Sequence, residues 1–268
     1  MKIVVLGASG QVGSVIYSGL KDIHEVTGTS RNRSGKYLQF DPFSDDWSVL
    51  GKADVLINCV GQIAATPKSS FDRIHVLLTK QILAHRQNLG NPRIIQISAL
   101  GASTDHQVEF LRTKGIADEL LLQHPNVAVI RPSIICTPRT MLVKKMIMLS
   151  ELARVFFGFV PIPRGFLTTQ IQPIMPDDLI DLVRKLCYSH NTRIIPAVGP
   201  EPISFHEVIQ ILRECRHEQL KVIEVSKRFT DIVVKNFVGY LLPKIISTQQ
   251  YQLLFEDNTA DVETIETF

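Results

Sequence analysis

The chain has 268 residues, of which 45% are hydrophobic and 21% are charged, and it carries a formal net charge of +3 at pH 7. Such a composition excludes an intrinsically disordered chain, and the small net charge gives no reason to expect a nucleic-acid partner. The length suits one large α/β domain, alone or with a small appended lobe.

Sequence features also bear on location and metal binding. The apolar run at residues 3–6 is short and leads directly into a glycine loop, so no signal peptide is predicted. The nearest candidate for a membrane span, residues 141–163, is interrupted by charged residues, so no transmembrane segment is predicted. The histidines and cysteines lack the spacing of metal ligands or of a disulfide framework. We therefore expect a cytoplasmic protein with reduced cysteines and no bound metal.

Short apolar runs alternate with longer amphipathic runs through the first half of the chain, a pattern that predicts repeated βα units. The apolar runs are hydrophobic at nearly every position, as strands buried on both faces of a parallel sheet are. Right-handed crossovers would arrange these units as a Rossmann-type, doubly wound α/β sheet. The predicted strands are residues 3–6, 25–29, 55–60, 93–98 and 127–130, with a further strand ending at Asp41, and the predicted helices are residues 11–20, 71–89 and 108–122.

The regular alternation of short apolar runs and longer amphipathic runs ends after Pro132. Ser204 and Glu207 have the spacing of a capping box, which predicts the start of a helix. We expect a dinucleotide-binding domain at 1–135 and a small C-terminal α/β lobe at 136–268, interleaved with the core sheet, with a loose tail at 256–268. The predicted elements of this half are helices at 141–157, 176–187 and 204–214, strands at 193–198 and 221–225, and further helical structure up to 254 that is broken at Pro243.

A glycine-rich turn at the amino terminus predicts a nucleotide site. Gly7, Gly10 and Gly13 follow a predicted strand and open a predicted helix, which is the context that makes this spacing informative. Glycine permits the tight turn, the close approach of the backbone to a pyrophosphate, and tight packing of helix on strand. The amino terminus of the helix adds N–H donors for phosphate. The neighbouring residues expected to line the phosphates are Ser9, Gln11 and Val12.

The end of the second predicted strand indicates which nucleotide is bound. An NAD site usually places an acidic residue there, whereas this chain has Ser30, Arg31 and Arg33. Guanidinium groups suit the 2′-phosphate of NADP(H), so NADP(H) is preferred and NAD(H) remains possible. The alternative is a solvated basic loop. Asp41 either contacts the adenine or caps a turn before Pro42.

Five motifs, taken in order, resemble the short-chain dehydrogenase/reductase superfamily in its extended and atypical branch, which is similar to the NAD-dependent epimerases and dehydratases. The resemblance covers nearly the whole chain. Residues 97–103, 110–119 and 247–258 are similar to bacterial relatives of the dehydrogenase-like alpha-subcomplex accessory subunit of respiratory complex I. The five motifs are the glycine turn, Asn58-Cys59-Val60-Gly61, residues 97–101, Arg131-Pro132-Ser133 and residues 172–178.

The resemblance implies a catalytic set that is incomplete here. Catalytic members use Tyr-x-x-x-Lys, in which the lysine lowers the pKa of the tyrosine hydroxyl, together with a serine or threonine hydroxyl. Lys114 takes the lysine position, but Phe110 takes the tyrosine position and has no proton to give. The hydroxyl position falls on Ser98 or on Ala99, and Ala99 is the better match. The further cofactor contacts that the resemblance implies are Cys59, Val60, Gly61, Ser98, Lys114, Pro132 and Ile135.

The sequence therefore predicts an NAD(P)(H)-binding, atypical short-chain dehydrogenase/reductase that acts as a cofactor-binding, sensor or assembly protein, or as a weak reductase. The alternative is an active NADP-dependent oxidoreductase or epimerase-like enzyme on an apolar carbonyl or quinone-like substrate. Residues 141–166 are apolar and broken by prolines. They form the core of the small lobe, a pocket wall for an apolar small molecule, or a surface for a protein partner or membrane.

Overall fold

The computed structural model describes residues 1–33, 35–63, 69–137, 159–216, 222–226 and 248–261, with positions 148 and 228 in isolation. Within these residues, parallel strands form one main sheet, and shorter strands form a lobe beside it. The strands of the main sheet are β1 (Lys2–Leu6), β2 (Glu25–Ser30), β3 (Leu38–Gln39), β4 (Val55–Asn58), β5 (Arg93–Ile97), β6 (Val127–Pro132) and β9 (Arg193–Ala197), and those of the lobe are β7 (Val160–Pro163), β8 (Gln170–Ile171), β10 (Ile203–Ser204) and β11 (Val222–Val225). The helices are α1 (Gln11–Leu20), α2 (Leu78–His85), α3 (Glu109–Leu122), α4 (Pro176–Cys187), α5 (Phe205–Arg216) and α6 (Thr248–Leu253).

The strand order of the main sheet is β3-β2-β1-β4-β5-β6-β9. The chain starts at β1, moves outward on one side through β2 and β3, and then crosses to the other side of β1 at β4. Every recorded pairing in this sheet is parallel. The predicted Rossmann-type, doubly wound sheet is confirmed, and its switch point lies between β1 and β4, where ligands of such sheets bind.

Two apolar layers cover the sheet because consecutive side chains of a strand point to opposite faces. Ile3 and Val5 of β1 belong to the layer that includes α1 and α4, whereas Val4 and Leu6 belong to the layer that includes α2 and the end of α3. Both faces of the central strands are therefore buried under apolar side chains, which explains their unbroken apolar sequences.

The lobe has an apolar cluster of its own. Strand β8 pairs with β10 in antiparallel orientation, and β7 pairs with β11 in parallel orientation. Phe166 stacks on Phe205 with ring centroids 4.3 Å apart, and both rings are buried with Ile162 and Ile171. Phe166 thus lies in the core of the lobe. The predicted helix at 141–157 and most of the chain from 226 to 247 lie outside the described residues.

Within the described residues, the predicted elements agree with the structure to within a few residues, and the helix predicted at 71–89 differs from the structure in two ways. The predicted helix at 71–89 contains a π-helical segment, Arg73–Leu77, and its α-helical part ends at His85. The capping box is confirmed, since Ser204 Oγ accepts a hydrogen bond from the Glu207 N–H at 3.2 Å and Glu207 Oε2 accepts one from the Ser204 N–H at 2.7 Å.

The prediction of a loose tail is wrong for residues 256–261. The Asn258 N–H donates to the Gln170 carbonyl at 2.8 Å, and the Gln172 N–H donates to the Asn258 carbonyl at 3.1 Å. This stretch therefore pairs with the free edge of β8. Its polar composition resembles that of a solvated tail, but its polar atoms are engaged in an edge contact.

An arginine that is almost wholly buried joins β5 to α4. Arg93 is 2% exposed. Its guanidinium donates to the Leu186 carbonyl at 2.5 Å, to Asn126 Oδ1 at 2.9 Å and to the Asn191 carbonyl at 3.3 Å. Carbonyls in the last turn of a helix have few partners within the helix, and Arg93 adds a charged donor to the Leu186 carbonyl there. The side chain therefore fixes the carboxyl end of α4 against the amino edge of the sheet.

Replacing Arg93 by methionine should lower the free energy of unfolding by about 3 kcal/mol, because buried carbonyls lose their charged donor. Urea unfolding monitored by circular dichroism measures the change. Lys80→Met, at an exposed position of α2, is the matched control and should change stability by less than about 0.5 kcal/mol. Equal stability of the two variants would contradict this role of Arg93.

Candidate functional site

The predicted site residues meet at the carboxyl edge of the main sheet. The glycine turn follows β1, and Cys59, Val60 and Gly61 follow β4. Ser98 follows β5, and Pro132 ends β6. Because neighbouring parallel strands end at one edge, residues far apart in sequence converge on the switch point between β1 and β4.

The glycine turn forms a cradle that side chains would fill. Gly7 has a φ of +74°, a conformation that favours glycine, and the Gly10 N–H donates to the Gly7 carbonyl at 2.9 Å. A Cβ at Gly13 would lie 2.2 Å from the Gly7 oxygen, so no larger residue fits there. Gly10 is the N-cap of α1 and has no side chain to cap the first turn. The cradle therefore fits a dinucleotide pyrophosphate bound by the N–H groups of the helix terminus.

The end of β4 lies against the glycine turn. A Cβ at Gly7 would lie 3.0 Å from Val60 Cγ2, and the Val60 N–H donates to Asn58 Oδ1 at 3.1 Å. Burial raises the pKa of the Cys59 thiol to about 12, so this thiol stays protonated. A Cβ at Gly61 would be 3.7 Å from Lys114 Nζ, which places Gly61 beside the lysine of α3.

Cations cluster at the end of β2, as the sequence predicts. Ser30 is buried, and Arg31 and Arg33 are exposed. Sequence reasoning missed Lys36, whose ammonium lies 5.2 Å from the ring centroids of both Tyr17 and Tyr37. Lys36 could have been identified from the sequence, because it is the third cation within six residues of the end of β2.

The structure places Asp41 in a turn. Asp41 Oδ1 accepts a hydrogen bond from the Phe43 N–H at 3.0 Å, and the Asp41 N–H donates to Asp45 Oδ2 at 2.7 Å. These bonds are those of a turn-capping aspartate, the second of the two roles expected from the sequence.

Helix α3 brings Phe110 and Lys114 to one face. Phe110 is partly exposed, and its ring makes edge contacts with Phe71 at 5.9 Å and with His75 at 5.7 Å. Lys114 is buried, donates to the Ile97 carbonyl at 3.1 Å, and holds Nζ 5.7 Å from the Phe110 ring centroid. Burial lowers the pKa of Lys114 to about 8, although the nearby Asp118 carboxylate acts in the opposite direction.

The hydroxyl of Ser98 is engaged in the protein interior. Ser98 Oγ donates to Asp118 Oδ2 at 2.8 Å, and Arg131 forms an ion pair with the same oxygen at 2.9 Å. Asp118, which sequence reasoning missed, is fully buried, and burial raises the pKa of its carboxyl. Asp118 could have been identified from the sequence, because it is an acidic residue one helical turn after Lys114 and on the same face of the helix. Ala99, the other candidate for the hydroxyl position, has no hydroxyl.

A third missed residue, His75, lies next to Phe110. Its Nδ1 is 2.8 Å from Thr113 Oγ1, and the residue belongs to the π-helical segment, a feature often found at functional sites. Burial, with a smaller contribution from the charge of Lys114, lowers the pKa of His75 to about 2. The imidazole is therefore neutral near pH 7 and does not replace the missing phenol as an acid.

Within the residues that the structure describes, no three His, Cys, Asp or Glu side chains are grouped as metal ligands would be. In the same residues, no helix is both long and apolar enough to cross a membrane.

Two curated proteins are similar to this chain in sequence, while no family model matches it. Subunit 9 of the NADH dehydrogenase [ubiquinone] 1 alpha subcomplex of Arabidopsis thaliana, a mitochondrial protein, is 31% identical over 195 residues, which are 68% of this chain and 46% of that protein. The mitochondrial subunit 9 of Dictyostelium discoideum is 25% identical over 193 residues, which are 70% of this chain and 52% of that protein. The chain thus spans about half the length of the curated relatives it matches.

Solved structures with the same fold are more distant in sequence. MoeE5 in complex with UDP-glucose and NAD has a TM-score of 0.68 at 16% identity, covering 100% of this chain and 97% of that chain. The UDP-glucuronic acid 4-epimerase of Bacillus cereus with NAD has a TM-score of 0.67 at 18% identity, covering 84% and 86%. RMD of Pseudomonas aeruginosa with NADPH has a TM-score of 0.64 at 16% identity, covering 84% and 86%.

The chain has the Rossmann-type fold of these solved structures. The resemblance to the short-chain dehydrogenase/reductase superfamily and to the complex I accessory subunit, which the motifs indicate, is confirmed by the matches in structure and sequence. The expectation of a cytoplasmic protein is wrong, because both curated relatives are mitochondrial.

The depressed pKa of Lys114 predicts a pH dependence of stability. The folded-state pKa, about 8, lies below the ordinary 10.5, so the unfolded chain binds more protons between these values. Stability contributed by this residue therefore rises with pH across that window, by roughly 3 kcal/mol in total. Lys114→Met should lose this rise, and urea unfolding at several pH values from 7 to 10 measures it. Parallel curves for the two proteins would show that Lys114 is not perturbed.

Proposed function

We propose that this protein binds NADP(H) and lacks the proton donor that its superfamily uses, so that it acts as a cofactor-dependent binding, sensor or assembly protein. One observation carries the proposal: Phe110 lies beside a buried Lys114 while the glycine cradle is intact. The cradle retains what binding requires, and the replaced phenol removes what the usual reaction requires.

Residues of three segments would hold the nucleotide. The N–H groups of the first turn of α1, with Ser9, Gln11 and Val12, would bind the pyrophosphate, and Arg31 with Arg33 and Ser30 would bind the 2′-phosphate. Lys36 lies near enough to this loop to add a third positive charge. Lys114, Pro132, Ile135 and the Cys59-Val60-Gly61 turn would surround the nicotinamide half. The nicotinamide ring of a bound cofactor supplies hydride, whereas the chain must supply a proton.

Proton supply is where the site differs from a working reductase. Phe110 has no hydroxyl, the Ser98 hydroxyl donates its hydrogen bond to Asp118, and His75 is neutral. A positioned general acid typically contributes about 10²- to 10⁴-fold to a rate, so carbonyl reduction in this site would be slow.

The second candidate function is that of an active NADP-dependent oxidoreductase on an apolar carbonyl or quinone-like substrate. The depressed pKa of Lys114, about 8, favours it, because such an ammonium is a better acid than an ordinary lysine. Lys114 would then donate the proton directly or through water, and a basic pH limit near its pKa would follow.

The relatives indicate the setting in which binding without turnover would be useful. The curated proteins that match this chain are named as subunits of NADH dehydrogenase. We propose that this chain likewise associates with a protein partner of that kind, with a bound nucleotide stabilising the surface that the partner meets.

Cofactor preference tests the role of the β2 loop. Isothermal titration should give a lower Kd for NADPH than for NADH, because the guanidinium of Arg31 meets the 2′-phosphate. Arg31→Ala should weaken NADPH about ten- to hundredfold and leave NADH nearly unchanged. Lys52→Ala, an exposed cation before β4, is the control and should affect neither nucleotide. Tighter binding of NADH than of NADPH by the native chain would overturn the preference.

Turnover tests the role of Phe110. The native protein should consume NADPH at a negligible rate with a panel of carbonyl compounds, followed at the absorbance of the reduced nicotinamide. The double variant Phe110→Tyr, Ala99→Ser restores both hydroxyls and should be at least about 10²-fold faster. Phe110→Leu is the control and should stay inactive. Robust turnover by the native protein would refute the non-catalytic function and favour the oxidoreductase.

A further inference from the structure

The C-terminal segment crosses from the lobe to the main domain. Residues 248–260, called the strap below, comprise helix α6 and the stretch that follows it. Tyr251 is buried, and Leu254 and Phe255 pack against the apolar cluster of the lobe. Asn258 pairs with Gln170 and Gln172 at the edge of β8, and the Ala260 N–H donates to Gln172 Oε1 at 3.0 Å. The strap is therefore anchored in the lobe.

From that anchor, the strap reaches the segment that follows β6. Ser133 Oγ donates to Asn258 Oδ1 at 2.6 Å, and it lies 3.2 Å from the Asn258 carbonyl. Ser133 is buried and directly follows Pro132. Pro132 and Ile135 are residues predicted to contact the cofactor, so Asn258 holds one side of the proposed nicotinamide site.

The strap also reaches the start of helix α3. Glu256 Oε2 is 3.1 Å from His106 Nε2, and His106 Nδ1 accepts a hydrogen bond from the Val108 N–H at 3.0 Å. Val108 is the N-cap of α3, two residues before Phe110. A second contact joins Gln249 Nε2 to Glu109 Oε2 at 3.1 Å. Both segments that would flank the nicotinamide are thus bonded to the same piece of chain.

We propose that Glu256 and Asn258 are positioning residues, and that docking of the strap is coupled to binding of the nicotinamide half of the cofactor. The proposal rests on the proposed function, since it presumes a dinucleotide in the cradle. The hydrogen bonds of the strap to the main domain reach Ser133, His106 and Glu109, next to the segments that would flank the nicotinamide, whereas the glycine turn and the Arg31 loop would hold the adenosine half. Coupling between two sites is reciprocal, so a partner that captured the strap would weaken cofactor binding.

The test compares two ligands and two strap variants by isothermal titration. NADPH fills both halves of the proposed site, whereas adenosine 2′,5′-bisphosphate fills the adenosine half alone. Glu256→Ala and Asn258→Ala should each weaken NADPH about five- to fiftyfold and leave adenosine 2′,5′-bisphosphate unchanged. Asn258→Asp keeps an oxygen acceptor for Ser133 and should restore most of the affinity. Asp181→Asn, which removes an exposed ion pair with Arg184 on α4, is the matched control.

Amide hydrogen exchange gives a second readout on the native chain. NADPH should slow exchange at Asn258 and Ala260, whereas adenosine 2′,5′-bisphosphate should not. In the titrations, an equal loss of affinity for both ligands in the alanine variants would mean that the strap has a merely structural role. Unchanged NADPH affinity in both alanine variants would overturn the coupling. A native chain that binds neither ligand would refute the proposed function itself, and binding without altered exchange would refute the strap proposal alone.

Discussion

The burial of the Lys114 ammonium determines how the candidate site is arranged. Nζ lies inside the protein, donates to the Ile97 carbonyl, and has Asp118 one turn further along α3. Asp118 is itself fully buried, and a buried carboxylate is costly unless several donors meet it. Ser98 and Arg131 are those donors. The network that stabilises the buried charges therefore takes up the Ser98 hydroxyl, and Ala99, the better match to the hydroxyl position of the superfamily, has none.

The residues that would bind a nucleotide and those that would take part in its reaction lie at opposite ends of the candidate site. Gly7 and Gly13 form a turn that no larger residue could form, and this turn needs nothing from α3. At the other end of the site, Phe110 presents an aromatic face in contact with Phe71 and His75. Aromatic packing of this kind stabilises the start of α3 and offers a flat apolar wall, but it provides no exchangeable proton. In the proposed function, cofactor binding and proton transfer depend on different residues, so one can be lost without the other.

The strap, residues 248–260, is anchored in the lobe and connects the lobe to the main domain. A small lobe with its own apolar cluster would be free to move relative to the sheet if it were joined by loops alone. Asn258 and Glu256 join it to Ser133 and His106, which belong to the main domain. The carboxyl-terminal part of the chain therefore contacts both segments that flank the proposed nicotinamide site.

Sequence reasoning recovered the features that depend on local pattern. The bounds of α1 and of the central strands follow from apolar periodicity, and the Ser204–Glu207 capping box follows from spacing alone. Contacts set by tertiary folding were not predictable in this way. The bond between Ser98 and Asp118 joins residues 20 apart, and that between Ser133 and Asn258 joins residues 125 apart. A polar residue in such a contact has the same local sequence signature as a solvated one.

The most direct test of the account is a crystal structure of the native chain with NADPH. We expect the pyrophosphate on the N–H groups of α1, the 2′-phosphate on Arg31, and the nicotinamide beside Phe110. We further expect no hydroxyl of the chain within about 3.2 Å of the position that a substrate carbonyl oxygen would take next to the ring. A nucleotide bound elsewhere, or a side-chain hydroxyl within that distance, would contradict it.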